Sequence, residues 1–356
     1  MNLFPAIRSL LFSLQPETAH TLTIRSLRLP LVRWYPVPRD KRLKIEIAGL
    51  SFANPIGMAA GFDKDGTAID GTLRLGLSFT EIGTVTPRPQ AGNAQPRLFR
   101  LVADHAVINR FGFNNAGHTA MRERLLRRKG RGGIVGVNIG ANRDTADKTE
   151  DYAAGVEAFA DLASYCVINV SSPNTAGLRD LQTREALDHL LQRVLMARDD
   201  ASEPGGRRLP VLLKIAPDLD EAGLADIAEV ALARSIDGFV ISNTTLSRDG
   251  STDPQSSEAG GLSGRPLFER STRTLARMRK LIGPGVPIIG VGGIDSPETA
   301  WAKITAGANL IQLYTGLVYE GPELIGRILE YFVKKLDEEG FVSIAEATGT
   351  EIDTWL

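Results

Sequence analysis

Residues 287–316 read PIIGVGGIDSPETAWAKITAGANLIQLYTG. Two short apolar runs, 287–291 and 309–314, flank a stretch with helical spacing at 297–306. The first run ends on Gly292 and Gly293, and the second on Tyr314, Thr315 and Gly316. This is a strand–helix–strand crossover whose strands stop at small or polar groups. Bare backbone beside glycine can approach an anion closely. In (β/α)8 barrels the loops after strands seven and eight often hold a phosphate. Gly-Val-Gly-Gly-Ile also serves ordinary tight turns, so its place in the chain matters more than its letters. It is not a dinucleotide fingerprint, because no G-x-G-x-x-G opens a helix with an acid about 20 residues on.

Working outward, six more runs have the same character: 55–60 (PIGMAA), 79–85 (FTEIGTV), 134–139 (IVGVNI), 165–170 (YCVINV), 211–216 (VLLKIA) and 237–242 (DGFVIS). They are short, apolar and rich in Val and Ile, as buried parallel strands are. Helical patterns at 150–163, 183–198, 219–234 and 269–282 separate several of them. Eight such units predict an α/β fold, a (β/α)8 TIM barrel. A doubly wound open sheet is the alternative, since periodicity does not count closure. Polar or glycine groups at nearly every strand end favour the barrel, whose active sites are built there. A small hairpin is expected at 43–53. Residues 86–133 and 243–286 are too long for simple crossovers. The first contains a second hairpin near 97–109, and 247–264, rich in Ser, Gly, Asp and Pro, reads as a mobile loop or lid.

Charge divides the chain. It has 41 Lys and Arg against 42 Asp and Glu, so the whole offers nucleic acid no attraction. Residues 1–42 hold seven basic residues and two acids, leaving the remainder net acidic. In that segment Leu3, Phe4, Ile7, Leu10, Leu11 and Leu14 repeat at helical spacing, Gln15-Pro16 breaks the helix, and a second follows with Leu22, Ile24, Leu27 and Leu29. Such helices pack on a domain or lie in a bilayer interface. No run is long enough to span a membrane, and the interrupted apolar stretch without a small-residue cleavage site leads us to expect no signal peptide.

The candidate chemistry sits at strand ends. Lys214 lies inside an apolar strand and needs a negative partner, either a structural ion pair or a reduced flavin. Asn109, Asn138, Asn169, Asn174 and Asn243 suit an amide-rich heterocycle, although any one of them also suits a turn. The four His (His20, His105, His118, His189) show no metal-ligand spacing. No G-x-S-x-G elbow is present. The single cysteine, Cys166, lies inside a strand and reads as a buried thiol.

Taken together, AAGFDKDG (59–66), EIGTVTPRPQ (81–90), PRLFRL (96–101), INRFGFN (108–114), NVSSPNT (169–175), KIAPD (214–218), SNTT (242–245), GGLSGRP (260–266) and GVGGID (290–295) resemble the dihydroorotate dehydrogenase family. The resemblance is to its class 2, quinone-dependent, membrane-associated form and covers about residues 1–333. It implies an FMN barrel that oxidises dihydroorotate to orotate in pyrimidine synthesis. By that resemblance Ser172 is the base at C5, and hydride leaves C6 for the flavin. The substrate would meet Lys64, Asn109, Arg110, Phe111, Gly112, Phe113, Asn169, Asn174, Asn243 and Thr244. FMN would meet Ala60, Gly61, Phe62, Asp63, Lys64, Thr84, Asn138, Asn169, Lys214, Ser242, Gly264, Gly293, Tyr314 and Thr315. His20, Arg100 and Tyr314 would lie near a quinone. A serine is a poor base without a relay, for which Thr175 and Lys64 are candidates. Class 1 relatives place Cys at the base position, and this chain places Ser there. Ser242 stands where relatives often have Thr.

The organisation this implies is an N-terminal pair of amphipathic helices at 1–42, a barrel at 43–333 and an acidic extension at 334–356 without an assigned role. The expected molecule is a monomer held peripherally on the cytoplasmic face of the inner membrane. It would bind no metal and no nucleic acid. Two other readings are weighed against this one. A dihydrouridine synthase would need a basic RNA-binding face. A membrane-surface module that merely retains a barrel would have no need of Ser172, Lys64 and Lys214.

Overall fold

The computed structural model describes residues 4–29, 36–175, 177–202 and 207–356. Leu3 and residues 30–35, which belong to the expected N-terminal segment, lie outside the described residues. The chain opens with α1 (Phe4–Ser13) and α2 (Pro16–Leu27). The hairpin β1 (Ile45–Ile47) and β2 (Leu50–Phe52) follows, antiparallel as expected. Then come β3 (Ile56–Met58), α3 (Ile69–Leu73), β4 (Phe79–Val85), β5 (Leu98–Leu101), β6 (Ala106–Asn109), α4 (Gly117–Arg128), β7 (Ile134–Ile139), α5 (Lys148–Phe159) and β8 (Tyr165–Asn169). The second half holds α6 (Arg184–Asp200), β9 (Val211–Ile215), α7 (Glu221–Ala233), β10 (Gly238–Ile241), β11 (Gly261–Gly264), α8 (Phe268–Ile282), β12 (Ile288–Val291), α9 (Pro297–Thr305), β13 (Leu310–Leu313), α10 (Thr315–Glu320), α11 (Glu323–Glu339) and α12 (Ile344–Ala347).

Eight strands close into a barrel in the order β3, β4, β7, β8, β9, β10, β12, β13, and β13 pairs with β3 to seal it. All these pairings are parallel. The eight apolar runs are therefore the eight barrel strands, and the open sheet is excluded. Glycine makes room for large rings inside the closed cylinder. A Cβ on Gly136 would lie 2.2 Å from the Tyr165 ring, and one on Gly57 would lie 2.4 Å from that of Phe79. Phe52 stands edge-on to Phe79 at 5.3 Å, so the hairpin β1–β2 covers the end of the barrel where the strands begin. Local signals start the outer helices. Ser296 accepts from the Thr299 N–H in a capping box before Pro297, and Asp147 and Asp220 cap α5 and α7.

The two long connections build one sheet. β5 and β6 form the expected hairpin, and β11 from the other insertion adds to it, giving the antiparallel order β11–β6–β5. The segment 247–264 is not the loose lid its composition predicts. The Asp104 carboxylate accepts from Ser251 Oγ (2.6 Å), Thr252 Oγ1 (2.9 Å) and the Asp253 N–H (3.0 Å). Arg248 donates to the carbonyls of Ser256, Glu258 and Gly260, each at 2.8 Å. Partners on another insertion hold this polar stretch, and composition does not reveal them.

α11 runs through residue 333 to Glu339. Beyond it Ile344 and Ala347 are buried, and Trp355 stands edge-on to Phe268 at 5.7 Å. The last residues thus pack against the barrel's outer layer.

Candidate functional site

A cavity of about 380 Å³ opens at the C-terminal ends of the barrel strands and extends between α1 and α2. Its inner chamber is polar. Ser172 follows β8, is 6% exposed, and its Oγ accepts the Asn174 N–H at 3.3 Å. Asn174 Nδ2 donates to the Asn109 carbonyl (3.1 Å) and to Asn109 Oδ1 (3.3 Å), tying the loop after β8 to the end of β6. Asn243, just past β10, donates from Nδ2 to Ser171 Oγ (3.0 Å) and Asn169 Oδ1 (3.3 Å). Its own Oδ1 accepts the Thr244 N–H at 2.8 Å. Residues distant in sequence thus converge because each ends a barrel strand or insertion strand.

Lys64 enters from the loop after β3. Its ammonium donates to the Gly61 carbonyl at 2.9 Å and lies 3.9 Å from the centroid of the Phe111 ring. Loss of water around it lowers its pKa to about 8, against the attraction of Glu17. Lys214 is 5% exposed on β9. Burial lowers its pKa too, and the Glu81 carboxylate is the charge that opposes this.

Behind the chamber the wall is glycine and hydroxyl. Gly264, Gly293, Thr315 and Ser242 all line it. Gly293 has φ +75°, and a Cβ there would lie 2.2 Å from Phe268 Cα. At Gly264, with φ +96°, a Cβ would lie 2.4 Å from the His105 carbonyl oxygen. Only glycine lets these loops approach that wall so closely.

The outer arm is apolar and aromatic. Phe62, Tyr314 and His20 form an edge-on cluster, with Phe62–Tyr314 at 5.6 Å and His20–Phe62 at 5.7 Å. Burial, helped by the Lys64 charge, lowers the His20 pKa to about 3, so its imidazole is neutral. Arg100 donates to the carbonyls of Leu11 and Leu14 at the C-terminal end of α1 and lies over Phe12 at 4.8 Å. α2 is fastened by Glu17, whose carboxylate pairs with Arg97 at 2.8 Å. Burial works against that carboxylate's charge, yet the Arg97 guanidinium holds it below the usual range. α1 buries no side chain, and Ile7 and Leu10 are 50% and 68% exposed.

Most residues singled out from the sequence line this cavity, Ala60, Gly61, Thr84, Gly112, Phe113 and Asn169 among them. Three do not. Asp63 accepts the N–H groups of Thr67 (2.8 Å) and Ala68 (2.6 Å) and so braces the loop that carries Lys64. Arg110 turns away to Glu258 at 2.7 Å, joining the two insertions. Asn138 lies beneath the chamber and accepts from Thr84 Oγ1 at 2.5 Å and Asn169 Nδ2 at 3.1 Å. Glu81 and Gln312 join the site's surroundings too, and each is a polar residue inside an apolar strand, the same signal that marks Lys214. Cys166 is buried in β8, and burial raises its thiol pKa. No described helix is long and apolar enough to cross a membrane.

The family model described as Dihydroorotate dehydrogenase matches residues 42–336. A dihydroorotate dehydrogenase (quinone) of Sinorhizobium fredii is 57% identical over 346 residues, covering 97% of this chain and 95% of that protein. One from Brucella ovis is 56% identical over 349 residues, covering 98% and 96%. A crystal structure of DHODH from Eimeria tenella in complex with ferulenol aligns with a TM-score of 0.90 at 37% identity, covering 94% of this chain and 95% of that one. With a matching family model over most of its length and relatives of this identity along nearly all of it, the chain belongs to the dihydroorotate dehydrogenase family.

Proposed function

We propose that this protein oxidises dihydroorotate to orotate, with FMN as cofactor and a membrane quinone as final electron acceptor, in pyrimidine biosynthesis. The observation that carries the reading is the two-part cavity: a chamber of Asn, Ser and Lys that opens into an apolar arm between two amphipathic helices. The chamber fits a flavin. Lys214 is a buried ammonium without a hydrogen bond among the described residues, and Gly264 and Gly293 clear a wall that side chains would fill. The cavity's volume is also in the range of cofactor sites. When bound, FMN supplies the hydride acceptor and hands the electrons to quinone.

The chain's own residues do the rest. Gly293, Gly264, Thr315 and Ser242 would hold the cofactor's phosphate side, while Lys214, Thr84, Asn169, Ala60, Gly61, Phe62 and Lys64 would meet its ring, with Asp63 bracing their loop. Asn109, Asn174, Asn243 and Thr244 read the amide edges of the substrate through groups that both donate and accept. Lys64 pairs with its carboxylate. Ser172 Oγ takes the C5 proton, and Thr175, 5% exposed and three residues on, passes it outward with Lys64 favouring the developing negative charge. Quinone enters between α1 and α2 and meets His20, Arg100 and Tyr314. The exposed Ile7 and Leu10 sit in the bilayer interface, so the molecule is peripheral to the inner membrane's cytoplasmic face, where it acts as a monomer.

The test is optical. The purified protein is expected to be yellow, to bleach anaerobically with dihydroorotate, and to regain colour with quinone but not with NAD⁺. A flavin that dihydroorotate leaves oxidised sinks the reading.

A further inference from the structure

Glu81 of β4 is 0% exposed inside the barrel, beneath the chamber. Three donors face its carboxylate. Asn138 Nδ2 reaches Oε1 at 2.7 Å, Gln312 Nε2 reaches Oε2 at 2.6 Å, and the Tyr165 hydroxyl stands at 3.4 Å. A buried carboxylate is costly unless it is hydrogen-bonded and matched by a positive group. The two amides and the phenol meet the first need. Lys214 on β9, also buried, is the ammonium on which the Glu81 charge acts.

The hydrogen bonds have a direction. A carboxylate only accepts, so Asn138 must give it Nδ2 and turn Oδ1 the other way. That oxygen then accepts from Thr84 Oγ1 and Asn169 Nδ2. Asn169 in turn offers its Oδ1 to Ser171 Oγ (2.8 Å) and Asn243 Nδ2 (3.3 Å). A string of oriented amides therefore starts at Glu81 and ends beside Ser172.

We infer that Glu81 is a positioning residue of this site, whose carboxylate orients Asn138, balances the Lys214 ammonium, and thereby lowers the reduction potential of the bound flavin. This rests on the flavoenzyme reading above. The sign follows from charge alone. Reduction adds negative charge to the ring, which Lys214 favours and Glu81 opposes. With Glu81 neutral, Lys214 acts unopposed and the reduced form gains.

Glu81→Gln separates charge from geometry. Its carbonyl can accept from Asn138 while its amide donates to Gln312. Gln312 Oε1 has no partner among the described residues and can turn inward to accept. Adding Gln312→Glu returns a carboxylate to the barrel interior on β13, which is separated from β4 by β3 alone.

The experiment is a spectroelectrochemical titration of the FMN-loaded proteins at one fixed pH. Glu81→Gln is expected to shift the reduction equilibrium about tenfold toward the reduced form, a rise of about 30 mV for a two-electron couple. The double variant is expected to return to the wild-type potential. A Glu81→Gln potential equal to wild type, or a rise that Gln312→Glu does not reverse, overturns the inference. If Glu81→Gln does not fold, the double variant decides: a wild-type potential supports the inference, and a tenfold displacement overturns it. A wild-type protein that dihydroorotate does not bleach fails the functional reading instead, so the two failures are distinguishable.

Discussion

At the scale of the residue, two side chains carry separable predictions. Ser172 sits in the chamber with its hydroxyl accepting only a backbone N–H among the described residues, which leaves it able to take a proton. Ser172→Ala is expected to keep flavin bound and to slow its reduction by dihydroorotate by about 10²–10⁴-fold, the usual worth of a general base. Stopped-flow flavin bleaching measures this, and a wild-type rate removes Ser172 from the role. Lys64 carries the pH dependence. Desolvation places its pKa at about 8, so it is protonated below that pH and neutral above it. An ammonium that pairs with the substrate's carboxylate therefore weakens as pH rises, and kcat/KM for dihydroorotate is expected to fall above pH 8. Lys64→Met should have a low value without that limb. His20, held neutral by burial, contributes no such limb near neutrality. The residue types were legible in the sequence because a Lys inside Leu212-Leu213-Lys214-Ile215 and five Asn at strand ends are conspicuous. That Arg110 turns outward to Glu258 was not legible, because its partner lies on the other insertion.

At the scale of the element, α1 and α2 line the outer arm of the cavity. They meet the body through Arg97–Glu17, Arg100 on the α1 carbonyls, Arg8 on the Tyr319 carbonyl and the Phe12–Tyr319 ring contact; α2 buries Ala19 and Leu27, and no α1 residue is fully buried. The catalytic chamber is built from strand ends that these helices do not supply. Deleting residues 2–30 is expected to spare flavin reduction by dihydroorotate and to depress turnover with quinone by an order of magnitude or more. Comparing the two half-reactions in the truncated protein checks this, and undiminished quinone turnover would remove the helices from that role. Barrel strands were readable because a strand buried on both faces is a short apolar run whatever its partners. The segment 247–264 was not, because its order comes from Asp104 and from pairing with β6.

At the scale of the whole molecule, closure and covering decide stability. The barrel has no free edge, the hairpin covers one end, and the chain's last turns lie across its outer layer. Ile344 is fully buried in that contact. Ile344→Ala is expected to cost about 2–5 kcal/mol of folding stability, read as an earlier unfolding midpoint in denaturant with KM for dihydroorotate unchanged. A midpoint equal to wild type would mean that the tail is not part of the packed body. By itself the sequence determined the eight strands, the polar strand ends and the basic amphipathic N-terminal helices on an acidic body, since periodicity and charge are local properties of a chain. Tertiary structure alone decided that the sheet closes, that the two insertions share one sheet, and that Glu81 meets Asn138 and Gln312 inside the cylinder. Those facts depend on which residues meet across a closed barrel, and no window of neighbouring residues contains that information.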